Sequence, residues 1–385
     1  MKKKMKILPI SLAVVVILAL LSVGVIFAAS SFIKVNQETG AKINVDVAKN
    51  KDTLKADKLN SKNAKKEVVL DVKWGDGEDQ FKMSKYQEAK DTEISYDSPS
   101  IFALDNEGNI YVNDVINNKL KIFQTNGLIR SIVLPKSNIP FVLRDMVVDF
   151  DGNIYGLNYL ANEVVKINKS DKIEAVFKDS DIRRPETLDI LSSGNIMVQD
   201  NVDSENATRV RKFDKNGNII SEKKMANIID MSLYDYENQD GDIISISPIS
   251  VKIYQIELKN KKDGLSKGTI NFSARPVSED MECNSKLLGV DKPGQVYFWL
   301  QDTPPSGKGD ELGIENFQKQ CKEYISRIDI TTNKIDTIKI DTTDRSMANS
   351  TANLSNRFVK MDNNGNIYQL MMNEQGYKII KYSFN

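Results

Sequence analysis

Short runs of alternating apolar and polar residues recur along most of this chain, separated by turns rich in Gly, Asn and Asp. The clearest example is PSIFALDNEGNIYVNDVINNKLKIF, from Pro99 to Phe123. It holds an apolar run, an acidic turn (Asp105, Asn106, Glu107, Gly108, Asn109), a second run, a polar loop and a third run. A period of two residues broken by such turns predicts short antiparallel strands. A unit of three or four strands cannot bury both its faces alone, so its recurrence every 40 to 50 residues predicts a β-propeller.

The marker of each copy is a glycine that opens a β-run. These glycines are Gly108 (GNIYVND), Gly152 (GNIYGLN), Gly194 (GNIMVQD), Gly241 (GDIISIS), Gly294 (GQVYFWL) and Gly365 (GNIYQLM), and they lie 42 to 71 residues apart. Six markers predict six blades, each marker being the hairpin turn between strands a and b. The first strands are then IFALD, DMVVD, TLDIL, DMSLY, LLGVD and FVKMD. Stretches such as LKIFQTNGLIRSIVL and YISRIDITTNKIDTIKI supply strands c and d. The last copy stops at YKIIKYSFN, one strand short, whereas EVVLDVKW from Glu67 has no partner nearby in sequence. Pairing the two would close the ring and remove an open sheet edge. The fold class expected is therefore all-β, a six-bladed β-propeller over residues 67–385 closed by an N-terminal strand.

In the first copy Pro99, Asp105, Gly108-Asn109-Ile110-Tyr111-Val112, Asp114, Asn117-Asn118 and Lys121-Ile122-Phe123 follow a familiar order. The chain resembles the NHL-type six-bladed propellers through these residues, closely in the first copy and in the a–b hairpins of the second and sixth, and loosely over residues 99–385. That family and its lactonase-like and low-density-receptor-type relatives include protein-binding, carbohydrate-binding, RNA-binding and enzymatic members. The resemblance implies the fold and leaves the activity open.

Ahead of the repeats stand a basic tip, Met1 to Lys6, and an uncharged apolar run, Ile7 to Ile33. The run exceeds a signal-peptide core and approaches the ~20 residues that cross a membrane, and the lysines orient the N-terminus toward the cytoplasm. Residues 1–33 are thus a single transmembrane anchor, or a signal peptide cut near Ala28-Ala29-Ser30. In both readings the rest of the chain is outside the cytoplasm, single-pass at the cell membrane or secreted. Residues 34–66 are lysine-rich and lack aromatic residues and proline, a composition suited to a disordered linker or stalk.

Charge and composition narrow the chemistry. Lys+Arg and Asp+Glu are both 53, and four of the lysines belong to the N-terminal tip. The exported part is slightly acidic, which argues against nucleic acid as a partner. There is no histidine, so histidine-based triads, His-ligated zinc and imidazole general bases are excluded. Carboxylates, Lys, Arg, Tyr or a hard metal held by oxygen remain. The acidic turns at Asp105, Asp149, Asp291 and Asp362 lack the spacing of a calcium loop and read as hairpin turns. Gly307-Lys308-Gly309 lacks the residues of a phosphate loop. Trp74 and Trp299 read as packing between blades. Cys283 and Cys321 flank the insertion in the fifth copy, and an oxidising exterior makes them a disulfide candidate, the alternative being two separate thiols.

Propeller ligands usually meet the face that carries the b–c and d–a loops. Eight residues before each marker, at the start of strand a, stand Ser100, Arg144, Glu186, Leu233, Lys286 and Arg357. Near them strand b ends with Asp114, Asn158-Tyr159 and Asp200, and Arg183, Arg184, Arg275 and Arg345 occupy d–a loops. One reading is a recessed polar site in which Arg144, Lys286 and Arg357 bind an anionic group, Tyr159 stacks on a sugar or peptide, and Glu186, Asp114 and Asp200 complete the lining. The other is that these charges pair among themselves, Glu186 with Arg144 for instance. Two functions follow. The favoured one is a monomeric binding module for a protein or cell-envelope polymer, without a cofactor. The alternative is a lactonase-like or lyase-like enzyme with Ca2+ held by Glu186, Asn158 and Asp200. On this reading the acidic a–b turns are scaffold, on the face away from the ligand.

Overall fold

The computed structural model describes residues 53–384 apart from 56–63, 87–94, 100, 126, 135–142, 179–184, 192, 203–206, 227–233, 251–252, 275, 277–280, 306–315, 317–318, 345–346 and 348–357. Asp52–Asn385 forms one compact unit. Before the repeats come β1 (Thr53–Lys55), β2 (Lys65–Val72) and a small ribbon of β3 (Ser84–Tyr86) with β4 (Ser95–Asp97). Blade 1 is β5 to β8 (Phe102–Leu104, Ile110–Asp114, Lys119–Gln124, Gly127–Val133), and blade 2 is β9 to β12 (Leu143–Val148, Ile154–Asn158, Glu163–Ile167, Ile173–Lys178). Blade 3 is β13 to β16 (Pro185–Ile190, Ile196–Val202, Ala207–Phe213, Ile219–Ala226), and blade 4 is β17 to β20 (Tyr234–Glu237, Asp242–Ser250, Ile253–Asn260, Ser266–Ser273). Blade 5 is β21 to β24 (Glu282–Val290, Val296–Thr303, Lys322–Asp329, Lys334–Ile340). Blade 6 comprises β25 (Val359–Met361), β26 (Ile367–Asn373) and β27 (Gly376–Ser383), with β2 as its fourth strand.

The chain is an all-β six-bladed propeller. Strands within each blade are antiparallel neighbours in sequence order, apart from β2, which pairs with β27 from Lys65 opposite Ser383 to Val72 opposite Tyr377. First strands of successive blades touch, β5 with β9, β9 with β13, β21 with β25 and β25 with β5, so strand a lines the centre. All six marker glycines sit in a–b turns with φ between 77 and 97°, a region that L-residues avoid and glycine occupies without strain. At Gly376 space adds to the constraint: a Cβ there would lie 2.4 Å from the Val72 carbonyl oxygen, so only glycine admits this approach of β2.

The core lies between blades, as alternation requires. Ile110 and Val112 face Tyr368 and Leu370 across the blade 6–1 seam, whereas Tyr111, one residue out of phase, joins Met146 and Ile154 in the blade 1–2 seam. Leu157, Leu188 and Val198 fill the seam between blades 2 and 3, and Trp299, Ile325 and Ile380 that between blades 5 and 6. Burying one such side chain contributes about 1.5–3 kcal/mol. Trp299 packs as expected, and its indole N–H donates to Glu323 (2.9 Å). Trp74 packs beside the blade 6–1 core and donates to the Asn373 carbonyl (2.8 Å).

Three details differ from the sequence reading. The first strand of blade 4 is Tyr234–Glu237, nearer the marker than DMSLY. The segment read as an unstructured linker contributes β1, which pairs in parallel with the outer edge of blade 4, Thr53 opposite Asn271 through Lys55 opposite Ser273. Three residues without a core of their own gain backbone hydrogen bonds because an exposed sheet edge offers unpaired N–H and C=O groups. The polar loop after Trp74 carries Phe81, wholly buried and tilted against Phe123 (5.4 Å) and Tyr377 (4.8 Å). The apolar N-terminal segment, residues 7–33, lies outside the described residues. Among the described residues no helix is long and apolar enough to cross a membrane.

Candidate functional site

Four of the six a–b turns are built on one plan. Asp105 Oδ1 accepts from the backbone N–H groups of Glu107 and Asn109, and its Oδ2 accepts from the Asn109 side chain (2.7 Å) and the Tyr111 hydroxyl (3.0 Å). Asp149 with Tyr155, Asp291 with Tyr297 and Asp362 with Tyr368 repeat the arrangement. Burial first, then the adjacent carboxylate, pushes these four tyrosine hydroxyls well above their ordinary pKa. The carboxylates are thus committed to the turn, in line with the hairpin reading.

At the opposite, b–c face, the structure joins some of the anticipated residues and separates others. In β9 Leu157 faces Asp145 and Asn158 faces Leu143, which leaves Arg144 as the extra residue of a β-bulge. Glu186 holds the same position in β13, between Pro185 opposite Asp200 and Thr187 opposite Gln199. A bulge re-aims its side chain, and these two bulges bring Arg144 and Glu186 to 4.0 Å. Arg144 lies over the ring of Tyr159, 4.8 Å from its centroid, an attraction of about 0.5–2 kcal/mol. The Arg144 side chain is 4% exposed, that of Glu186 27%. Beside them Asn158 donates to Glu163 (3.4 Å). Arg144 Nε, Asn158 Oδ1 and both polar atoms of Asn113 are buried without a hydrogen-bond partner. By strand alternation Asn113 shares the face of Tyr111 and Asn158 that of Ile154, on the two sides of the blade 1–2 seam. Unmatched polar groups therefore concentrate at this end of blades 1 and 2.

The remaining anticipated residues go elsewhere. Asp114, 0% exposed, pairs with Lys121 (2.8 Å) and accepts from Asn117 (2.9 Å). Asp200 accepts from Arg209 Nε (3.0 Å) and Nη2 (2.6 Å) and from Arg211 Nη2 (3.1 Å). Glu186, Asn158 and Asp200 are thus engaged with Arg144, Glu163 and the two arginines. Among the described residues no group of three or more acidic or thiol side chains is placed to hold a metal ion. Arg357, Ser100, Leu233, Arg183, Arg184, Arg275 and Arg345 lie outside the described residues. Cys283 and Cys321 are both buried thiols in this structure, not joined to each other. The register Cys283–Asp302–Lys322 places β22 between them, roughly 10 Å across two strand spacings, beyond the reach of a disulfide.

Lys286 lines a different feature, a cavity of about 230 Å3 in the centre of the ring that opens among the a–b turns. All six first strands contribute to it, with Leu104, Met146, Val148, Ile190, Leu287 and Met361 among the apolar lining. Lys360 of blade 6 reaches past blade 1 to blade 2, where it donates to Asp145 Oδ1 (2.9 Å) and the Met146 carbonyl (2.8 Å). Asp145 is fully buried and also accepts from the Leu188 N–H of blade 3 (2.8 Å). Sequence reasoning missed Asp145 and Lys360, since neither falls at the repeat position taken for the channel mouth.

No protein-family model matches the chain, and no curated protein matches it. Some solved structures match it at low identity. Virginiamycin B lyase from Staphylococcus aureus is 14% identical, with a TM-score of 0.40 over 80% of this chain and 100% of that one. A gluconolactonase from Xanthomonas campestris is 11% identical, with a TM-score of 0.40 over 73% and 85%. A member of the duf4221 family from Bacteroides vulgatus is 11% identical, with a TM-score of 0.44 over 84% and 99%.

Proposed function

We propose that this protein is an extracytoplasmic binding module of the NHL type, held at the cell membrane by residues 1–33 or released by their cleavage, and that it recognises an anionic group on a protein or cell-envelope polymer at its b–c face. The ring is closed in this reading by β2. One observation carries the proposal: Arg144 is turned out of the β-ladder by a bulge, almost wholly buried, and has an Nε–H without a partner. A buried guanidinium with an unused donor is costly unless something supplies an acceptor, and a planar fork suits a carboxylate or phosphate. Tyr159 holds the guanidinium by its face, and Glu186, at 4.0 Å, orients it without saturating its donors.

The test is retention of the purified protein on cell-envelope fractions, with Arg144→Ala and Arg144→Lys compared. The alanine variant is expected to lose at least tenfold in retention while melting within a few degrees of the parent, and the lysine variant to recover part of it. Equal retention of all three would sink the proposal. The metal-dependent alternative draws no support from the grouping of Glu186, Asn158 and Asp200, and a calorimetric titration with calcium addresses it directly: tight stoichiometric binding would reverse the preference.

A further inference from the structure

Arg144 and Glu186 meet as an open pair. Each is the extra residue of a bulge in a first strand, so both side chains leave the ladder at the b–c end of the ring. Their approach of 4.0 Å is longer than a charge-assisted hydrogen bond at about 2.7–2.9 Å. Other buried carboxylates are closed on their cations: Asp114 on Lys121 at 2.8 Å, Asp200 on Arg209 at 2.6 Å and Asp145 on Lys360 at 2.9 Å. Arg144 keeps an Nε–H without a partner, and Glu186 keeps part of its surface in solvent.

The two charges decide what fits between them. A bare anion that reached Arg144 would stand beside the Glu186 carboxylate, and attraction and repulsion over comparable distances largely offset each other. A bare cation at Glu186 meets the converse opposition from Arg144. A group that carries both charges a few bonds apart gains from each, because its anion faces the guanidinium and its cation the carboxylate. Hydrogen bonding points the same way. A carboxylate only accepts, which suits Arg144 Nε–H, yet Asn158 Oδ1, buried at the same end of blade 2, lacks a donor. An ammonium brings three N–H groups to that end.

We propose that the occupant of the Arg144 site is an α-amino carboxylate, the zwitterionic group of a free amino acid or of an amino-acid branch on an envelope polymer. Its carboxylate sits on Arg144 and its ammonium on Glu186, which makes Glu186 the residue that sets specificity. This rests on the anion-binding reading above and narrows it. The test is a calorimetric and NMR titration of the full-length protein, Glu186→Gln and Arg144→Ala with glycine, acetate, N-acetylglycine and Nε-acetyl-lysine. N-Acetylglycine keeps the carboxylate and loses the ammonium. The parent is expected to bind glycine at least tenfold more tightly than acetate or N-acetylglycine. Glu186→Gln, which keeps the shape and removes the charge, should lose that preference, and Arg144→Ala should lose binding of all four. Nε-Acetyl-lysine bound as well as glycine supports a branch on a polymer, and glycine bound without it supports a free amino acid. Equal binding of glycine and acetate by the parent, a preference undiminished in Glu186→Gln, or no glycine binding at tens of millimolar would overturn the inference. The anion-binding reading falls separately, when Arg144→Ala is retained on envelope fractions as well as the parent.

Discussion

Aspartate and tyrosine six residues apart form the smallest unit that explains this chain. Where a turn begins with Asp, at 105, 149, 291 and 362, the sixth residue on is Tyr. Where it begins with Leu191 or Asn238, that residue is Met197 or Ile244. The sequence displays this pattern, but only the structure supplies its cause, a phenolic O–H donated to a carboxylate oxygen that the turn amides leave available. Asp105→Leu and Tyr111→Met are therefore expected to be coupled: each alone costs about 1–3 kcal/mol through an unmatched buried polar group, and the double variant less than the sum by about 1 kcal/mol. Additive denaturation free energies would refute the pairing. The same tyrosines set a pH dependence. Burial raises the pKa of Tyr111, Tyr155, Tyr297, Tyr368, Tyr377 and Tyr382 in the folded state, whereas an unfolded tyrosine ionises near pH ~10. The fold thus favours the protonated form, so stability is unaffected by these groups below about pH 10 and falls as pH rises beyond it. Ultraviolet titration should show them ionising only with unfolding, and simultaneous ionisation of all 13 tyrosines in folded protein would contradict this.

Strand pairings were legible from sequence wherever the marker glycine and alternation agreed, and the pairing of Lys65–Val72 with Gly376–Ser383 was anticipated by counting one strand too few at the C-terminus. Removal of residues 65–74 would expose the edge of β27 and take Trp74, Val69 and Leu70 from the core between blades 6 and 1. The shortened protein is expected to melt at least 10 °C lower or to aggregate, and parent-like melting would rule out closure by β2. The bulges at Arg144 and Glu186 were not legible, because a bulge is a mismatch between two strands and neither strand alone records it. Cys283 and Cys321 illustrate the same limit, since their separation depends on the strand that runs between them.

Across the whole ring, the Lys360–Asp145 pair joins blades 6 and 2 and, through the Leu188 N–H, blade 3. Lys360→Met would take the ammonium away from a fully buried carboxylate, and a loss of about 3–5 kcal/mol is expected in denaturant unfolding. Asp145→Asn with Lys360→Met should recover part of it, and an unchanged midpoint in the single variant would show that the pair carries no stability. The amino-acid order by itself determined the strands, their turns, the count of blades and the absence of imidazole chemistry, because period-two alternation, positive-φ glycines and composition are local properties. The tertiary structure decided between the readings left open for the charges, the Glu186–Arg144 pair among them. Arg144 found Glu186 and Tyr159, Asp200 found two arginines, and Lys360 crossed the channel to Asp145. Those contacts depend on register, bulges and the distance across a closed ring, none of which is written in any single repeat.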